Sequence, residues 1–369
     1  MGQWRAYARV HLLSSPKVEP SLPATVAELP AFDEIIDARS PGEFAVDRIP
    51  GAINLPVLDD AERERVGTLY KQVSSFEAKK VGAALVSRNI ARHLETWFAD
   101  KPKSYRPLVY CWRGGSRSGA MTHILQKIGF AATQLDGGYQ AYRRHVVAEL
   151  ERLPALLSYR VVSGPTGSGK SRLLQALADE GAQVLDLEAL AAHRGSLLGA
   201  LPEQPQPTQK SFESAICFAL ARFNPQRPVF VESESKKIGV LRVPAALIAA
   251  MRASPCIRLE VPLATRVRLL TEDYAHFLHD PAIINSRLAH LVSLRGHETV
   301  AAWQALARLQ AWDDLVAALL EQHYDPAYGK SLSSNYAPTP ADQTFSTADL
   351  SRAGLQQLAR KILAAVPGN

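Results

Sequence analysis

Short apolar runs alternate with longer segments of helical spacing along most of this chain. The runs are rich in β-branched residues and predict buried strands at 34–37, 107–110, 159–163, 183–187, 228–232 and 257–261. Between them, apolar residues recur three and four positions apart, which predicts helices. Strands that alternate with helices in this way build parallel sheets, so the pattern predicts an α/β fold.

The spacing of these elements predicts two domains. A chain of 369 residues usually contains more than one hydrophobic core. The first two runs belong to a predicted domain of residues 1–150, with an insertion at about 57–106. The other four belong to a predicted parallel-sheet domain of residues 151–369, which ends in a helical part. There, Ser346–Asp349 predicts the cap of the last helix.

The strongest motif is a glycine-rich loop near the middle of the chain. Residues 164–171 match G-x-x-x-x-G-K-[ST], and they lie between a predicted strand and a predicted helix, as the motif requires. In such loops, backbone N–H groups and a helix N-terminus surround a phosphate. The predicted phosphate-binding residues are Gly164, Thr166, Gly167, Ser168, Gly169, Lys170 and Ser171. Lys170 would contact the terminal phosphate and act in catalysis, and Ser171 would offer its hydroxyl to Mg²⁺.

Acidic residues lie at or just after the carboxyl ends of two predicted strands that follow this loop. They are Asp186, Glu188, Glu232 and Glu234. Because the carboxyl ends of parallel strands meet at one edge of a sheet, these side chains are expected near the phosphate site. One or two of them would hold Mg²⁺, and the others would be ordinary surface carboxylates. Arg194 is expected to position a substrate in the same place.

A second loop begins with a cysteine. Cys111 directly follows the strand at 107–110, and a helical segment follows the loop. Loop N–H groups, a helix N-terminus and two arginines would all favour the thiolate, so Cys111 is predicted to be a catalytic nucleophile. Its predicted anion-binding partners are Arg113, Gly114, Gly115 and Arg117. The alternative for Cys111 is a buried cysteine at a strand end. Cys217 and Cys256 have apolar neighbours in the sequence, and we predict that they are core residues.

Charge and composition add a candidate partner. The net charge of +6 and the pI near 9.2 permit an anionic partner such as RNA. Between residues 71 and 106 there are eight Lys or Arg against three Asp or Glu. This stretch predicts either a solvated helical face or an RNA-binding surface, with the candidate residues Lys71, Lys79, Lys80, Arg88 and Arg92. No apolar run approaches the roughly 20 residues of a membrane span, so a soluble, cytoplasmic protein with no membrane partner is expected.

The first domain resembles the rhodanese family. The resemblance is carried by 37–39, 43–44 and 49–54, and by the cysteine loop followed by Gly137-Gly138-Tyr139. Rhodanese-like domains transfer sulfur or selenium through a persulfide or perselenide on the loop cysteine. By this resemblance, that residue is Cys111.

The two motifs together resemble the tRNA 2-selenouridine synthase family. Besides the two loops, the resemblance rests on 186–196 and 232–239, and more weakly on 324–328. It implies that sulfur in the 2-thiouridine of the tRNA anticodon loop is replaced by selenium from selenophosphate. It also implies that a geranyl group from geranyl diphosphate is first attached to that sulfur. The phosphate loop would then bind the diphosphate, and the cysteine loop would bind selenophosphate.

Two other functions are compatible with the same motifs. One is an ATP-dependent sulfurtransferase or kinase that acts on RNA or a small molecule, in which the phosphate loop hydrolyses nucleotide. The other is a tRNA-binding protein without catalytic activity, in which both loops are only anion sites. The sequence indicates small-molecule phosphates and tRNA as partners and does not indicate any protein partner or oligomeric state.

Overall fold

The computed structural model describes residues 22–194, 204–274 and 281–366. The chain divides into two compact units, and the division falls between His145 and Val146. It lies within helix α5 (Gly138–Arg152), which runs from one unit into the next. Each unit has its own parallel sheet.

A four-stranded sheet in the order β2-β1-β3-β4 forms the centre of the first unit. Its strands are β1 (Glu34–Asp37), β2 (Ile53–Asn54), β3 (Pro107–Tyr110) and β4 (Thr133–Gln134), and its helices before α5 are α1 (Pro41–Val46), α2 (Asp60–Gln72), α3 (Ser75–Thr96) and α4 (Ser116–Ile128). A short 3-10 helix, Val26–Ala31, precedes the sheet. Strands β1 and β3 pair in parallel from Glu34 with Pro107 to Asp37 with Tyr110. The chain therefore leaves both strands at the same edge, where Cys111 follows β3.

The segment predicted as an insertion forms the helices α2 and α3. Ser74 caps α3, because its side chain accepts a hydrogen bond from the Glu77 N–H at 3.0 Å. One face of α3 is buried, and Ile90 packs in the same core cluster as Val109 and Met121. The segment is therefore part of the core of the first unit on one side, and only its other side faces solvent.

A five-stranded parallel sheet in the order β11-β10-β5-β7-β6 forms the centre of the second unit. Its strands are β5 (Tyr159–Ser163), β6 (Gln183–Leu185), β7 (Val229–Glu232), β10 (Cys256–Glu260) and β11 (Gln343–Ser346), and β8 (Lys237–Ile238) and β9 (Leu241–Arg242) form an antiparallel hairpin beside it. Because β5 is the central strand, the loop that follows it has strand ends on both sides.

Helices cover this second sheet and form the C-terminal part of the unit. They are α6 (Lys170–Asp179), α7 (Leu187–Ala191), α8 (Gln209–Leu220), α9 (Ala245–Arg252), α10 (Leu263–Asp273), α11 (Pro281–Ala289), α12 (Val292–Arg295), α13 (His297–Arg308), α14 (Trp312–Leu319), α15 (Asp325–Asn335) and α16 (Arg352–Ala365). A 3-10 helix, Leu153–Leu156, precedes β5, and a π-helical turn, Leu320–Tyr324, joins α14 to α15. The predicted α/β class with parallel sheets and a helical C-terminal part is confirmed. No helix in the described ranges is long and apolar enough to cross a membrane.

Two details of the C-terminal part differ from prediction. Strand β11 lies in the region expected to be wholly helical, and it pairs in parallel with β10 from Ile257 to Glu260. The predicted cap at Ser346–Asp349 is wrong, because Ser346 ends β11 and the last helix begins at Arg352. Its cap is Ser351, which accepts a hydrogen bond from the Gly354 N–H at 3.2 Å. An edge strand of four residues, two of them half-buried and two exposed, is too short to give a clear periodic signal.

Candidate active sites

Cys111 lies directly after β3, and only 3% of the residue is exposed. Ser118, in the first turn of α4, donates a hydrogen bond from its Oγ to the Cys111 Sγ at 3.1 Å. Gln134, at the end of β4, donates from Nε2 to the Ser118 Oγ at 2.9 Å and also to the carbonyl of Gly114. The sulfur therefore faces a hydroxyl group that the neighbouring strand holds in place.

Two glycines allow the cysteine loop to pack against the backbone that follows β4. Gly114 has φ +66° and Gly138 has φ +55°, which is the left-handed region. A Cβ on Gly138 would lie 2.3 Å from the carbonyl oxygen of Cys111. Next to it, the Tyr139 N–H donates to that same carbonyl at 2.8 Å. The loop conformation around Cys111 therefore depends on a glycine at position 138.

Replacing Gly138 by alanine tests this contact. The added methyl group would have to displace backbone, so Gly138→Ala is expected to lower the free energy of unfolding by about 2–4 kcal/mol. The matched control is Gly67→Ala in α2, where an added Cβ meets no atom within 4 Å. Denaturant unfolding of both variants measures the difference, and equal midpoints would show that the loop tolerates a side chain there.

The two loop arginines have different surroundings. Arg117 forms an ion pair with Glu43 of α1, with 2.7 Å between Nη1 and Oε2, whereas Arg113 is exposed on the loop. Burial opposes ionisation of Glu43, but the hydrogen bond and charge of Arg117 hold its pKa below the ordinary value. Below the loop, the buried Arg39 pairs with Asp37 at 2.6 Å. Arg117 is thus held in a defined orientation, and Arg39 has a structural role.

The phosphate loop turns from the central strand β5 into α6. Gly167 and Gly169 have φ values of +80° and +77°, so the turn requires residues that tolerate the left-handed region. Lys170 donates from Nζ to the Gly164 carbonyl at 2.7 Å, which places the ammonium group over the loop. Ser168 is fully buried, and its Oγ has no hydrogen-bond partner in the described part of the chain. The loop therefore has the expected conformation and a free hydroxyl inside it.

All four predicted carboxylates lie beside this loop. Ser171 donates from Oγ to the Glu188 Oε2 at 2.8 Å, and the Glu188 N–H donates to the Glu232 Oε1 at 2.9 Å. Asp186 caps α7 by accepting from the Ala189 N–H at 2.8 Å. Glu234 lies within hydrogen-bonding contact of the Glu188 carboxylate. Since these residues follow β6 and β7, the sheet order brings them together as the sequence predicted.

Burial shifts the pKa values of the ionisable groups in this site. Glu232 is 1% exposed, and burial raises its pKa well above the ordinary value. Burial and the Glu188 charge raise the pKa of Glu234 to about 7. Burial lowers the pKa of Lys170, although the neighbouring carboxylates oppose this shift. A half-buried lysine with a lowered pKa beside acidic groups is typical of functional sites.

Arg194 also reaches this region. It donates from Nη1 to the carbonyl of Asp273 at 3.0 Å, and its guanidinium carbon lies 5.2 Å from the ring centre of Tyr274. The next residues of the motif, Gly195 and Ser196, lie outside the described residues. Arg194 is therefore directed to the site by α10.

A cavity of about 630 Å³ connects these groups. One side is polar and contains the phosphate loop together with Glu188, Glu234 and Arg194. The other side comes from α10, α15 and the turn before α15. Its apolar and aromatic residues are Leu269, Leu270, Tyr274, Tyr324, Ala327, Tyr328 and Leu332, and Asp273, Ser331 and Asn335 add polar groups to it. Such a cavity suits a ligand with an anionic end and an apolar end.

Helices α10 and α15 supply residues that the sequence did not identify as functional. The Gly164 N–H donates to the Tyr328 hydroxyl at 2.7 Å, and the Ser233 Oγ lies 3.1 Å from that hydroxyl. Arg266 forms two 2.8 Å hydrogen bonds with Asp325 and donates to the Thr166 carbonyl at 3.2 Å. In the sequence, the stretch 324–328 was notable only for its family resemblance. Its contact with the phosphate loop could not be predicted, because Tyr328 and Gly164 are 164 positions apart. The helical C-terminal part therefore holds the phosphate loop at two points.

The five candidate RNA-binding residues of the 57–106 segment lie on α2 and α3. Lys71, Lys79 and Arg88 are exposed, Lys80 pairs with Glu77 at 2.7 Å, and Arg92 donates to Asn89. Three apolar side chains are exposed where the two helices meet, at 60% for Tyr70, 65% for Val73 and 67% for Phe76. We call Tyr70–Lys80 the hairpin tip. Exposed aromatics beside lysines were not predicted from the sequence.

These features define a two-domain protein with a rhodanese-like unit and a P-loop unit. The family model for the rhodanese-like domain matches residues 22–145, and the model for the tRNA 2-selenouridine synthase AAA domain matches residues 157–290. The chain belongs to the tRNA 2-selenouridine synthase family.

Relatives that bear this name are similar over much of the chain. The tRNA 2-selenouridine synthase of Chromohalobacter salexigens is 34% identical over 342 residues, which is 85% of this chain and 92% of that protein. That of Nitrosomonas europaea is 39% identical over 244 residues, which is 65% of this chain and 63% of that protein. That of Bdellovibrio bacteriovorus is 38% identical over 245 residues, or 65% and 64%. In the last two, the chain spans less than two thirds of the relative's length.

Proposed function

We propose that this protein converts the 2-thiouridine of the tRNA wobble position into 2-selenouridine, with selenophosphate as selenium donor and S-geranylation as the first step. The names of its relatives support the overall conversion. The cavity of the second unit is the observation that supports geranyl diphosphate, because a phosphate loop and an apolar wall line the same space.

The ligand's two ends correspond to the two sides of this cavity. Backbone N–H groups of the phosphate loop and Lys170 would bind the diphosphate. The apolar wall of α10 and α15 would take the geranyl chain, since burial of hydrocarbon is favourable in proportion to its area. A nucleotide would instead present a ribose and a base that need polar partners. The leucines of the wall therefore support an isoprenoid as the organic part of the ligand.

The first step is a substitution at the allylic carbon. The thiocarbonyl sulfur attacks this carbon, the carbon–oxygen bond breaks, and its electron pair leaves with the diphosphate. The base loses its N3 proton as the sulfur becomes alkylated. Lys170 and the loop N–H groups would stabilise the negative charge that develops on the leaving group.

The second step replaces sulfur by selenium. Selenide adds to C2 of the base, the carbon–sulfur bond breaks, and the geranyl group leaves as its thiolate. Alkylation makes this departure possible, because a geranyl thiolate is a better leaving group than sulfide. We assign the binding of selenophosphate to the cysteine loop, with Arg113, Gly114, Gly115 and Arg117 around Cys111.

Magnesium would fit beside the phosphate loop. In the described residues, no group of three or more His, Cys, Asp or Glu side chains is arranged to hold a metal ion by itself. However, the Ser171 hydroxyl is already bonded to Glu188, and the buried Glu232 Oε2 has no partner in the described part of the chain. Such oxygen donors suit Mg²⁺, with Asp186 and Glu234 nearby. When bound, the ion would offset the negative charge of the diphosphate.

We assign tRNA binding in part to the hairpin tip. Its lysines would contact phosphates, and Tyr70 and Phe76 would stack on unpaired bases.

Replacing Lys71, Lys79 and Lys80 together by alanine should weaken tRNA binding. It should also reduce the magnitude of the negative slope of log K against log salt by about two. Fluorescence anisotropy at several KCl concentrations measures both, with the neutral Gln72→Ala as control. Unchanged affinity and slope would place the tRNA elsewhere.

The proposed function is tested by incubating the protein with 2-thiouridine tRNA and geranyl diphosphate, with and without selenophosphate. Nucleoside mass spectrometry should find S-geranyl-2-thiouridine without selenophosphate and 2-selenouridine with it. Replacing geranyl diphosphate by ATP is the control and should give neither product. If neither nucleoside forms in the complete mixture, the proposed function is wrong.

A further inference from the structure

Electron balance restricts what Cys111 can do with selenophosphate. Selenium has the same oxidation state in selenophosphate and in the selenocarbonyl of the product, so the exchange requires no oxidant or reductant. A perselenide on Cys111 would contain a more oxidised selenium, and its release as selenide would require a reducing thiol. The other two cysteines, Cys217 and Cys256, belong to the second unit. Residues 1–145 therefore contain no second cysteine that could act as a resolving thiol.

The cysteine loop offers ligands for oxygen atoms. Five residues separate Cys111 from Arg117, and the loop between them leads into the N-terminus of α4. N–H groups and a guanidinium bind the oxygens of a phosphoryl group and have little affinity for selenium. Glu43 fixes the orientation of Arg117 by accepting from both of its terminal nitrogens, at 2.7 and 3.3 Å. Phosphoryl oxygens held by donors of this loop would bring phosphorus, and not selenium, towards the thiol.

Ser118, the residue after Arg117, supports the same chemistry. The Ser118 Oγ lies 3.1 Å from the Cys111 Sγ and donates to it, and Gln134 orients Ser118 through a 2.9 Å contact. A hydroxyl that donates to sulfur stabilises the thiolate, both as nucleophile and as leaving group. A reaction in which the thiolate leaves again would benefit most from this contact.

We propose that the Cys111 thiolate attacks the phosphorus of selenophosphate, which forms a transient phosphocysteine and releases selenide. This step rests on the proposed selenium donor and deepens the function proposed above. Cys111 is then a phosphoryl acceptor, and the selenide it releases is the nucleophile for C2 of the geranylated base.

The atoms and charges of this route balance. In the first half, the Cys111 sulfur forms a bond to phosphorus and the selenium–phosphorus bond breaks. The proton of hydrogen selenophosphate leaves with the selenium, as the hydrogen selenide ion. In the second half, water attacks phosphorus, the sulfur–phosphorus bond breaks, and dihydrogen phosphate and the Cys111 thiolate result. No atom is oxidised or reduced. Attack at selenium would instead release phosphite.

The test uses thiophosphate, the sulfur analogue, labelled on phosphorus in one sample and on sulfur in another. The full-length protein is mixed with it, quenched in acid and digested, and the modified peptide is identified by mass spectrometry. We expect the phosphorus label on Cys111, and about tenfold more of it in Ser118→Ala, where the thiolate leaves more slowly. Cys111→Ser should carry no label, and Cys256→Ala should match the unchanged protein.

Three results would overturn the proposal. They are sulfur label on Cys111 without phosphorus label, phosphite as the product of selenophosphate consumption, and the absence of phosphorus label in every form of the protein. The assay contains neither tRNA nor geranyl diphosphate. Failure of the complete nucleoside reaction would therefore count against the proposed function alone, and failure of the labelling would count against the phosphocysteine alone.

Discussion

Cys111→Ser is expected to abolish selenium incorporation while S-geranylation continues. The hydroxyl that replaces the thiol is almost un-ionised at neutral pH, so loss of the nucleophile should reduce 2-selenouridine formation by at least about a thousandfold. The geranylated nucleoside should then accumulate, because its consumption is blocked. Nucleoside mass spectrometry of the same reaction measures both products.

Cys256→Ala is the matched control for this variant. Cys256 is a buried cysteine of β10, and the neighbouring Asp342 and burial raise the pKa of its thiol to about 11. Its replacement should leave both products unchanged at a temperature where the protein is folded. Selenium incorporation by Cys111→Ser at a rate within about tenfold of the unchanged protein would remove Cys111 from the reaction.

Lys170→Met is expected to abolish geranylation. The ammonium group lies over the phosphate loop, with its Nζ 2.7 Å from the Gly164 carbonyl, and it is the charge that would stabilise the departing diphosphate. Removing a group of this kind typically lowers the rate by about two to three orders of magnitude. It also leaves Glu188, Glu232 and Glu234 without their positive neighbour, so diphosphate binding should weaken as well. Calorimetric titration with inorganic diphosphate measures the binding separately.

A rescue experiment distinguishes loss of the first step from loss of folding. In the proposed scheme Lys170 acts only in geranylation, so Lys170→Met should still form 2-selenouridine when it receives tRNA that is already geranylated. Lys361→Ala, an exposed position on α16, is the control and should retain both steps. Geranylation by Lys170→Met at the normal rate would show that the phosphate loop does not bind the diphosphate.

The C-terminal helices have a more direct role than their position in the sequence indicates. Through Arg266 and Asp325 they hold the Thr166 carbonyl, and through Tyr328 they hold the Gly164 N–H. The same helices form the apolar wall of the cavity. They therefore connect the conformation of the phosphate loop with the wall of the cavity, which in the proposed function would bind the organic group of the ligand.

The sequence alone determined the two loops and the strands before them. Gly164–Ser171 and the loop from Cys111 to Arg117 are recognisable because their function depends on consecutive backbone N–H groups, which neighbouring residues orient. The strands at 34–37, 107–110 and 159–163 were bounded correctly because each is a buried apolar run. The acidic residues were placed near the phosphate loop because all parallel strands end at one edge.

Only the tertiary structure decided which distant residues complete these loops. Ser118 donates to the Cys111 sulfur and Gln134 donates to Ser118. The Tyr328 hydroxyl accepts from the Gly164 N–H, and β11 pairs with β10 although Glu260 and Ser346 are 86 positions apart. The exposure of the hairpin tip was also decided only by the tertiary structure, because which side chains are buried depends on the assembled core. Hydrophobic periodicity records which face of an element is buried but not which element covers it, so contacts of this kind arise only when the whole chain has folded.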